Sequence, residues 1–241
     1  MLARKDRSFI FIHNPKTAGT SIKYFISNNN VLNYKIDNKD LSLYSKVFKS
    51  SVSSQHFHSE LKYYKKILSN KFYKKCLKFY TIRNPYDKIV SLYCWLKQQG
   101  SSYNHSIKNL NDSNGVTKYL DSLISDRSFL FLTSKSIKRV PKNISFREFV
   151  MNFENICHPN ELINFSKSEY FEDFDDFIRF ENLQHDLKRI FNKLNLETQN
   201  FDLKINQTDR KDYKYYYDSR TKEKVYNLFK ADINYFKYDF N

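Results

Sequence analysis

A lysine, a glycine and two hydroxyl residues follow a short apolar run near the start of the chain. The run Phe9–Ile12 is typical of a strand buried on both faces, and an Asn-Pro pair ends it. We expect Gly19 to let the backbone turn closely and Thr20 or Ser21 to cap a following helix. Helix amides beside hydroxyls and Lys16 favour a phosphate or a similar anion, although the same strand, turn and helix also occurs where nothing binds.

The order of residues in this loop differs from that of a nucleoside-triphosphate loop. In the triphosphate pattern the lysine follows the last glycine directly, whereas Lys16 precedes Gly19. A nucleotide kinase or another phosphotransferase is the first alternative function. It requires the triphosphate order and a magnesium-binding carboxylate, and the sequence offers a pattern for neither. The sequence therefore predicts an anion loop of a different kind.

A second strand, turn and helix repeats this arrangement with Arg83 and Ser91. The run Leu77–Ile82 predicts a strand, and an Asn-Pro turn precedes a helix with one apolar face. Arg83 suits a forked pair of hydrogen bonds to phosphate, and Ser91 can donate from the same side. A structural salt bridge from Arg83 to Asp87 is the alternative. Ligands of open parallel sheets bind at the carboxyl ends of strands, where Lys16 and Arg83 are both expected.

The alternation of strands and helices predicts an α/β fold with a central, mainly parallel β-sheet flanked by helices. We expect one domain over residues 1–241, with an irregular, polar insertion at 98–143 on the substrate side. The other predicted elements are a strand near Val47–Phe57, a helix from Leu61, a capped helix from Ser145, a strand at Phe177–Phe180 with a helix through Leu196, and a final helix at Ser219–Phe236.

The chain is strongly basic, with a formal net charge of +15 and a pI near 9.5. Such a surplus attracts anions in general, so a non-enzymatic protein that binds nucleic acid or another polyanion is the second alternative function. The lysines are spread along the chain, which favours a solvated basic surface, and we do not expect a nucleic-acid partner.

The three cysteines, Cys76, Cys94 and Cys157, have no paired spacing, so the sequence predicts neither a disulfide framework nor a metal site. No apolar segment is long enough to span a membrane, and the first residues lack a signal-peptide layout. Reduced thiols and these features predict a soluble, cytoplasmic protein.

Taken together, the motifs resemble the family 2 sulfotransferases, which use 3′-phosphoadenosine 5′-phosphosulfate (PAPS) and include the heparan sulfate 2-O-sulfotransferases. FIFIHNPKTAGTSI resembles their 5′-phosphosulfate loop, and YTIRNPYDKIVSLY is similar to their 3′-phosphate motif. FIRFENLQHDLKRIFNKLNL and the C-terminal YYYDSRTKEKVYNLFKADINYFKYDF resemble bacterial members. The resemblance covers nearly the whole chain apart from the middle insertion, and it implies a P-loop-like sulfotransferase fold.

The resemblance also implies which residues hold the donor. Arg83 and Ser91 are expected to bind the 3′-phosphate. Lys16 is expected to neutralise the negative charge that grows on the leaving phosphate oxygen. The basic segment with Arg210 and Lys211 matches a family segment that closes over the nucleotide, although a solvated charge run is equally compatible. The residues expected at the 5′-phosphosulfate are Pro15, Lys16, Thr17, Ala18, Gly19, Thr20 and Ser21.

The resemblance further implies a histidine base for the acceptor hydroxyl. A similar His-x-His precedes the 3′-phosphate strand in the 2-O-sulfotransferases, and its second histidine matches His58. A neutral imidazole suits proton acceptance near physiological pH. His56 is the alternative base or an orienting group. The expected acceptor is a carbohydrate hydroxyl, with small metabolites, polysaccharide precursors and lipid-linked sugars left open, and no metal is expected.

Overall fold

The computed structural model divides the chain into two compact units. The sheet unit consists of Met1–Arg83 and Glu169–Gln207, and the helical unit consists of Asn84–Ser168 and Thr208–Asn241. The residues that the structure describes are 2–3, 8–12, 14, 16–19, 21–22, 61, 64–65, 68–108, 144–156, 171–195 and 210–241.

Within the part of the chain that the structure describes, the sheet unit contains a four-stranded sheet in the order β1-β2-β3-β4. Strand β1 is antiparallel to β2, whereas β2, β3 and β4 are mutually parallel, which confirms the predicted mainly parallel sheet. The register of β3 places Phe79 beside Phe11 of β2 and Asp176 of β4. The strands are β1 Leu2–Ala3, β2 Ser8–Ile12, β3 Leu77–Ile82 and β4 Asp176–Arg179, the last shifted by one residue from its prediction.

Alternation along the strands gives the sheet two buried faces. Phe9 and Phe11 stack beside Phe79, with ring centroids 5.5 and 5.2 Å from it. These rings share a core with the helix Leu183–Lys193 (α5), whose Leu187, Ile190 and Phe191 are fully buried. On the other face Tyr80 packs against Phe171 and Phe174. Burial on both faces explains the continuous apolar run Phe9–Ile12 of β2.

The helical unit packs around an aromatic core. Tyr93 and Phe149 are buried there with Phe153 and Phe229, as expected from the apolar face of the second motif's helix. Ser145 forms the predicted N-cap, and its capping box with Glu148 satisfies two helix-end amides. Asn70–Lys75 (α1) belongs to the sheet unit. The other helices whose bounds lie within the described residues are Pro85–Lys108 (α2), Phe146–Met151 (α3), Phe153–Ile156 (α4), Ser219–Leu228 (α6) and Lys230–Phe236 (α7).

Besides β4, three element boundaries differ from the predictions. Helix α2 continues to Lys108, so the predicted irregular insertion is helical over its first residues, because one glycine weakens a helix without ending it. The predicted final helix is broken at Phe229, whose ring is buried in the core while its backbone leaves helical geometry. Helix α5 ends at Lys193 instead of Leu196. The predicted strand at 47–57 lies outside the described residues.

Among the described helices, none is both long and apolar enough to cross a membrane.

Candidate functional site

The loop after β2 turns through two left-handed residues that are not glycines. Lys16 and Ala18 both have φ of 63°. The helix then begins at Gly19, and the amide of Ile22 donates to the carbonyl of Ala18 over 3.1 Å. The expectation that Gly19 makes the turn is therefore wrong, as is a capping role for Ser21, because the chain turns one residue earlier and Ser21 lies within the first helical turn.

The hydroxyl of Thr17 ties this loop to strand β3. Thr17 Oγ1 donates to the carbonyl of Asn14 over 2.7 Å and lies 2.5 Å from Thr81 Oγ1. The amide of Asn14 in turn donates to Thr81 Oγ1 over 3.3 Å. All three residues are buried. The Thr17 side chain therefore holds the loop in place. The group of Thr17 that can bind an anion is its backbone amide.

Arg83 contacts the same loop from the end of β3. Its Nη1 donates to the carbonyl of Lys16 over 2.8 Å, and its guanidinium carbon lies 3.7 Å from the ring centroid of Phe180. Phe180 directly follows β4 and begins the 3₁₀ turn Phe180–Asn182. Arg83 is only 7% exposed. The carboxyl ends of three parallel strands thus meet at one arginine, at the sheet edge where ligands of such folds bind.

The residues of this loop fit an anionic group. The first amides of a helix lack intrahelical partners, and here they follow a turn with two left-handed residues. Such turns bring successive amides to one side and favour anions. Lys16, which is half-buried, adds a positive charge at the same turn. Left-handed geometry is costly for residues with a Cβ, and that cost is typical of functional loops.

The remaining described candidates belong to the helical unit. Asn84 caps α2, because its Oδ1 accepts from the Tyr86 amide over 3.1 Å and its carbonyl accepts from the Lys88 amide. Ser91 lies two turns into that helix and is buried. Asp87 in the first turn forms an ion pair with Arg210. Arg210 is itself one of the residues predicted to hold the nucleotide, and the alternative pairing of Asp87 with Arg83 stays a prediction.

Arg210 and Lys211 line an open cleft of about 540 Å³ with Tyr215 and Tyr216. Tyr215 is 79% exposed. Burial, together with a hydrogen bond from the Cys94 thiol, raises the pKa of Tyr216, so its phenol stays neutral at physiological pH. The cleft therefore owes its positive character to the two basic residues.

The other tyrosines of the 213–217 segment are packing residues. Tyr217 donates to the carbonyl of Tyr86 over 2.9 Å, and its ring meets Phe146 edge-on at 4.9 Å. Tyr213 donates to the carbonyl of Phe240 over 3.1 Å. Burial raises the pKa of the Tyr217 phenol strongly. Tyr213 and Tyr217 therefore pack within the aromatic core of the helical unit.

Four predicted site residues, Pro15, Thr20, His56 and His58, lie outside the described residues. In the part of the chain that is described, no group of three or more histidine, cysteine or acidic residues is placed to hold a metal ion.

Two residues of the site were not predicted from the sequence. Thr81 is a polar residue in the buried half of β3, and buried hydroxyls need hydrogen-bond partners, so its position in the sequence was a usable signal. Phe180 gave no such signal. Its relation to Arg83 follows from the register, because the pair Ile82 and Arg179 puts the next residues of β3 and β4 side by side.

Comparison with protein families gives a match that covers nearly the entire chain. The model described as the sulfotransferase family matches residues 1–239. No curated protein and no solved structure matches the chain.

Proposed function

The chain belongs to the sulfotransferase family, and on that premise we propose that it moves a sulfuryl group from PAPS to a hydroxyl of a carbohydrate. Membership of this family makes the protein a transferase. The observation that carries the proposal further is the loop of Lys16 to Gly19, which the Arg83 guanidinium holds through the Lys16 carbonyl. The loop fits an anionic ligand, and the lysine order disfavours a triphosphate.

In this proposal the loop residues act by position and charge. The amides of the turn and the first helical residues hold the 5′-phosphosulfate, and Lys16 neutralises negative charge on the leaving phosphate oxygen. When bound, PAPS supplies the sulfuryl group. Because these donors are fixed before the ligand arrives, they need little rearrangement during reaction.

Arg83 is proposed to hold the 3′-phosphate while its Nη1 keeps the Lys16 carbonyl. A guanidinium has five N–H donors, so a bond to the loop is compatible with further bonds to an anion. Ser91, Arg210 and Lys211 belong to the helical unit, and their part in donor binding stays a prediction drawn from the resemblance. His58 is proposed as the base that accepts the acceptor proton, with His56 as the alternative.

Calorimetric titration with the desulfated product, 3′-phosphoadenosine 5′-phosphate, tests the donor assignment. We expect binding without a metal ion and weaker binding by Lys16→Ala, because that variant removes the loop cation. Lys230→Ala, which removes an exposed lysine of α7, should bind like the wild type. Labelled PAPS with a panel of glycans then tests transfer. A wild-type chain that does not bind the nucleotide contradicts the proposal.

A further inference from the structure

Thr81 is a buried hydroxyl residue that no expected role explains. It lies on β3 with none of its surface exposed, between Tyr80 and Ile82. Side chains alternate along a strand, so Thr81 and Arg83 lie on the same face of the sheet. Both reach the loop after β2, since Thr81 contacts Thr17 and Asn14 while Arg83 contacts Lys16.

Proton counting fixes the direction of the hydrogen bonds around Thr81. Thr17 has one hydroxyl proton, and it goes to the Asn14 carbonyl. The proton between the two hydroxyls, which lie 2.5 Å apart, must then come from Thr81. Thr81 in turn accepts the amide proton of Asn14. The three residues form a closed ring in which each hydroxyl donates once and accepts once.

This ring fixes the two residues that flank the start of the turn. Asn14 and Thr17 lie on either side of Lys16, and both are bonded to Thr81. Lys16 and Ala18 hold a left-handed backbone that an isolated chain would leave readily. A buried ring of hydrogen bonds is costly to break, because each opened group loses its partner away from water.

We propose that Thr81 is a positioning residue for donor binding, which holds the loop of Lys16 to Gly19 in its anion-binding form through Thr17 and Asn14. The inference rests on the proposed function, since it takes the loop as the donor site. Thr81 acts through the loop and needs no contact with the ligand. Its hydroxyl, more than its volume, is the group that matters.

The test compares Thr81→Val, which keeps the shape but removes the hydroxyl, with Thr81→Ser, which keeps the hydroxyl. Amide hydrogen exchange is measured in the peptide covering residues 14–22 without nucleotide, and affinity for 3′-phosphoadenosine 5′-phosphate is measured by calorimetry. We expect Thr81→Val to speed exchange in that peptide and to weaken binding about tenfold, the scale of one or two lost buried hydrogen bonds. Thr81→Ser should stay within about threefold of the wild type.

Thr221→Val is a matched control in the helical unit. Thr221 is also fully buried, and its hydroxyl hydrogen-bonds with Asp218 in the capping box of α6. This variant should lower the melting temperature while leaving loop exchange and nucleotide affinity unchanged. Thr17→Val removes another member of the ring and should reproduce the effect of Thr81→Val, which keeps the test open if Thr81→Val folds poorly.

Wild-type affinity in a folded Thr81→Val or Thr17→Val protein overturns the inference. An equal loss in Thr81→Val and Thr81→Ser overturns it as well, because the hydroxyl that Thr81→Ser keeps would then not be the group that holds the loop. If the wild-type chain does not bind the nucleotide, the proposed function fails. The exchange measurement then decides by itself whether Thr81 anchors the loop.

Discussion

The guanidinium of Arg83 donates to the carbonyl oxygen of Lys16 over 2.8 Å, and it lies against the ring of Phe180. The residue expected to hold the 3′-phosphate therefore also holds the backbone of the loop expected to hold the 5′-phosphosulfate. Because the two expected phosphate sites share one side chain, their disruption should be coupled.

Replacing Arg83 should weaken nucleotide binding more than the loss of a single phosphate contact. Hydrogen bonds to charged groups contribute about 1.5–3 kcal/mol each, so Arg83→Ala should raise the dissociation constant of 3′-phosphoadenosine 5′-phosphate roughly 100-fold or more. Arg83→Lys should recover only part of the lost affinity, since an ammonium cannot form the two parallel hydrogen bonds that a guanidinium forms. Calorimetry measures both. Arg147→Ala, which removes an exposed arginine paired with Asp218, should bind normally, and normal binding by Arg83→Ala would contradict the assignment.

Phe180 should affect nucleotide binding through Arg83. Phe180→Leu keeps an apolar side chain but removes the ring against which the guanidinium lies. Arg–aromatic contacts contribute about 0.5–2 kcal/mol, so we expect binding to weaken roughly threefold to thirtyfold. Phe180→Tyr keeps the ring and serves as the rescue variant. If Phe180→Leu and Phe180→Tyr bind alike, the ring has no role in holding Arg83.

Replacement of Ala18 by glycine should be tolerated, whereas replacement by a β-branched residue should be destabilising. At φ of 63° the Cβ of Ala18 is unfavourable, and glycine removes it. The gain of about 1–2 kcal/mol is offset in part by the greater chain entropy of unfolded glycine, so Ala18→Gly should change the free energy of unfolding by less than about 1 kcal/mol. Ala18→Val should lose nucleotide affinity and stability together.

Ala231→Gly in α7 provides the comparison for Ala18. Alanine at a helical position should lose about 1 kcal/mol on replacement by glycine, as denaturant unfolding would measure. If Ala18→Gly and Ala231→Gly lose stability equally, the left-handed backbone at Ala18 does not determine how well that position tolerates glycine.

His58 should affect turnover without affecting donor binding. A general base typically contributes 10²–10⁴-fold, so His58→Ala should lower kcat by about that factor while leaving the affinity for 3′-phosphoadenosine 5′-phosphate unchanged. The wild-type rate should fall at acidic pH, because a protonated imidazole cannot accept the proton. His56→Ala is the paired variant. Loss of turnover in His56→Ala alone would move the base role to His56.

The sequence predicted β2, β3 and, within one residue, β4, because local patterns determine them, whereas the two-residue strand β1 was not predicted. Apolar runs marked β2 and β3, and the Asn-Pro pair marked the start of α2, where Asn84 does cap the helix. The bond from Arg83 to Lys16 was not predictable, since it joins residues 67 apart and depends on which strands are neighbours. The turn was predicted at Gly19 because glycine is the residue that usually takes a left-handed backbone conformation. In the folded chain, hydrogen bonds to the neighbouring strand allow Lys16 and Ala18 to take that conformation instead.

Acid should destabilise the sheet unit through Asp176 at the start of β4. Burial acts to raise the pKa of Asp176, but hydrogen bonds from Arg189 and Lys193 of α5 outweigh burial, and the pKa is lowered. A carboxyl whose folded pKa lies below its unfolded value of about 3.9 stabilises the fold above that pH. This contribution is lost as the pH falls from about 4 through the folded pKa, because the unfolded state then binds the proton more readily.

Asp176→Asn removes this titration and the ion pairs that join β4 to α5. We expect the free energy of unfolding at pH 7 to fall by about 1.5–3 kcal/mol, since hydrogen bonds to two charged partners are weakened. The difference between variant and wild type should shrink below pH 4, where the wild-type carboxyl also becomes protonated. Denaturant unfolding at several pH values measures both effects, with Glu223→Gln on the exposed surface of α6 as the charge-matched control. A difference that stays constant from pH 7 to pH 2 would show that Asp176 stabilises the fold without titrating.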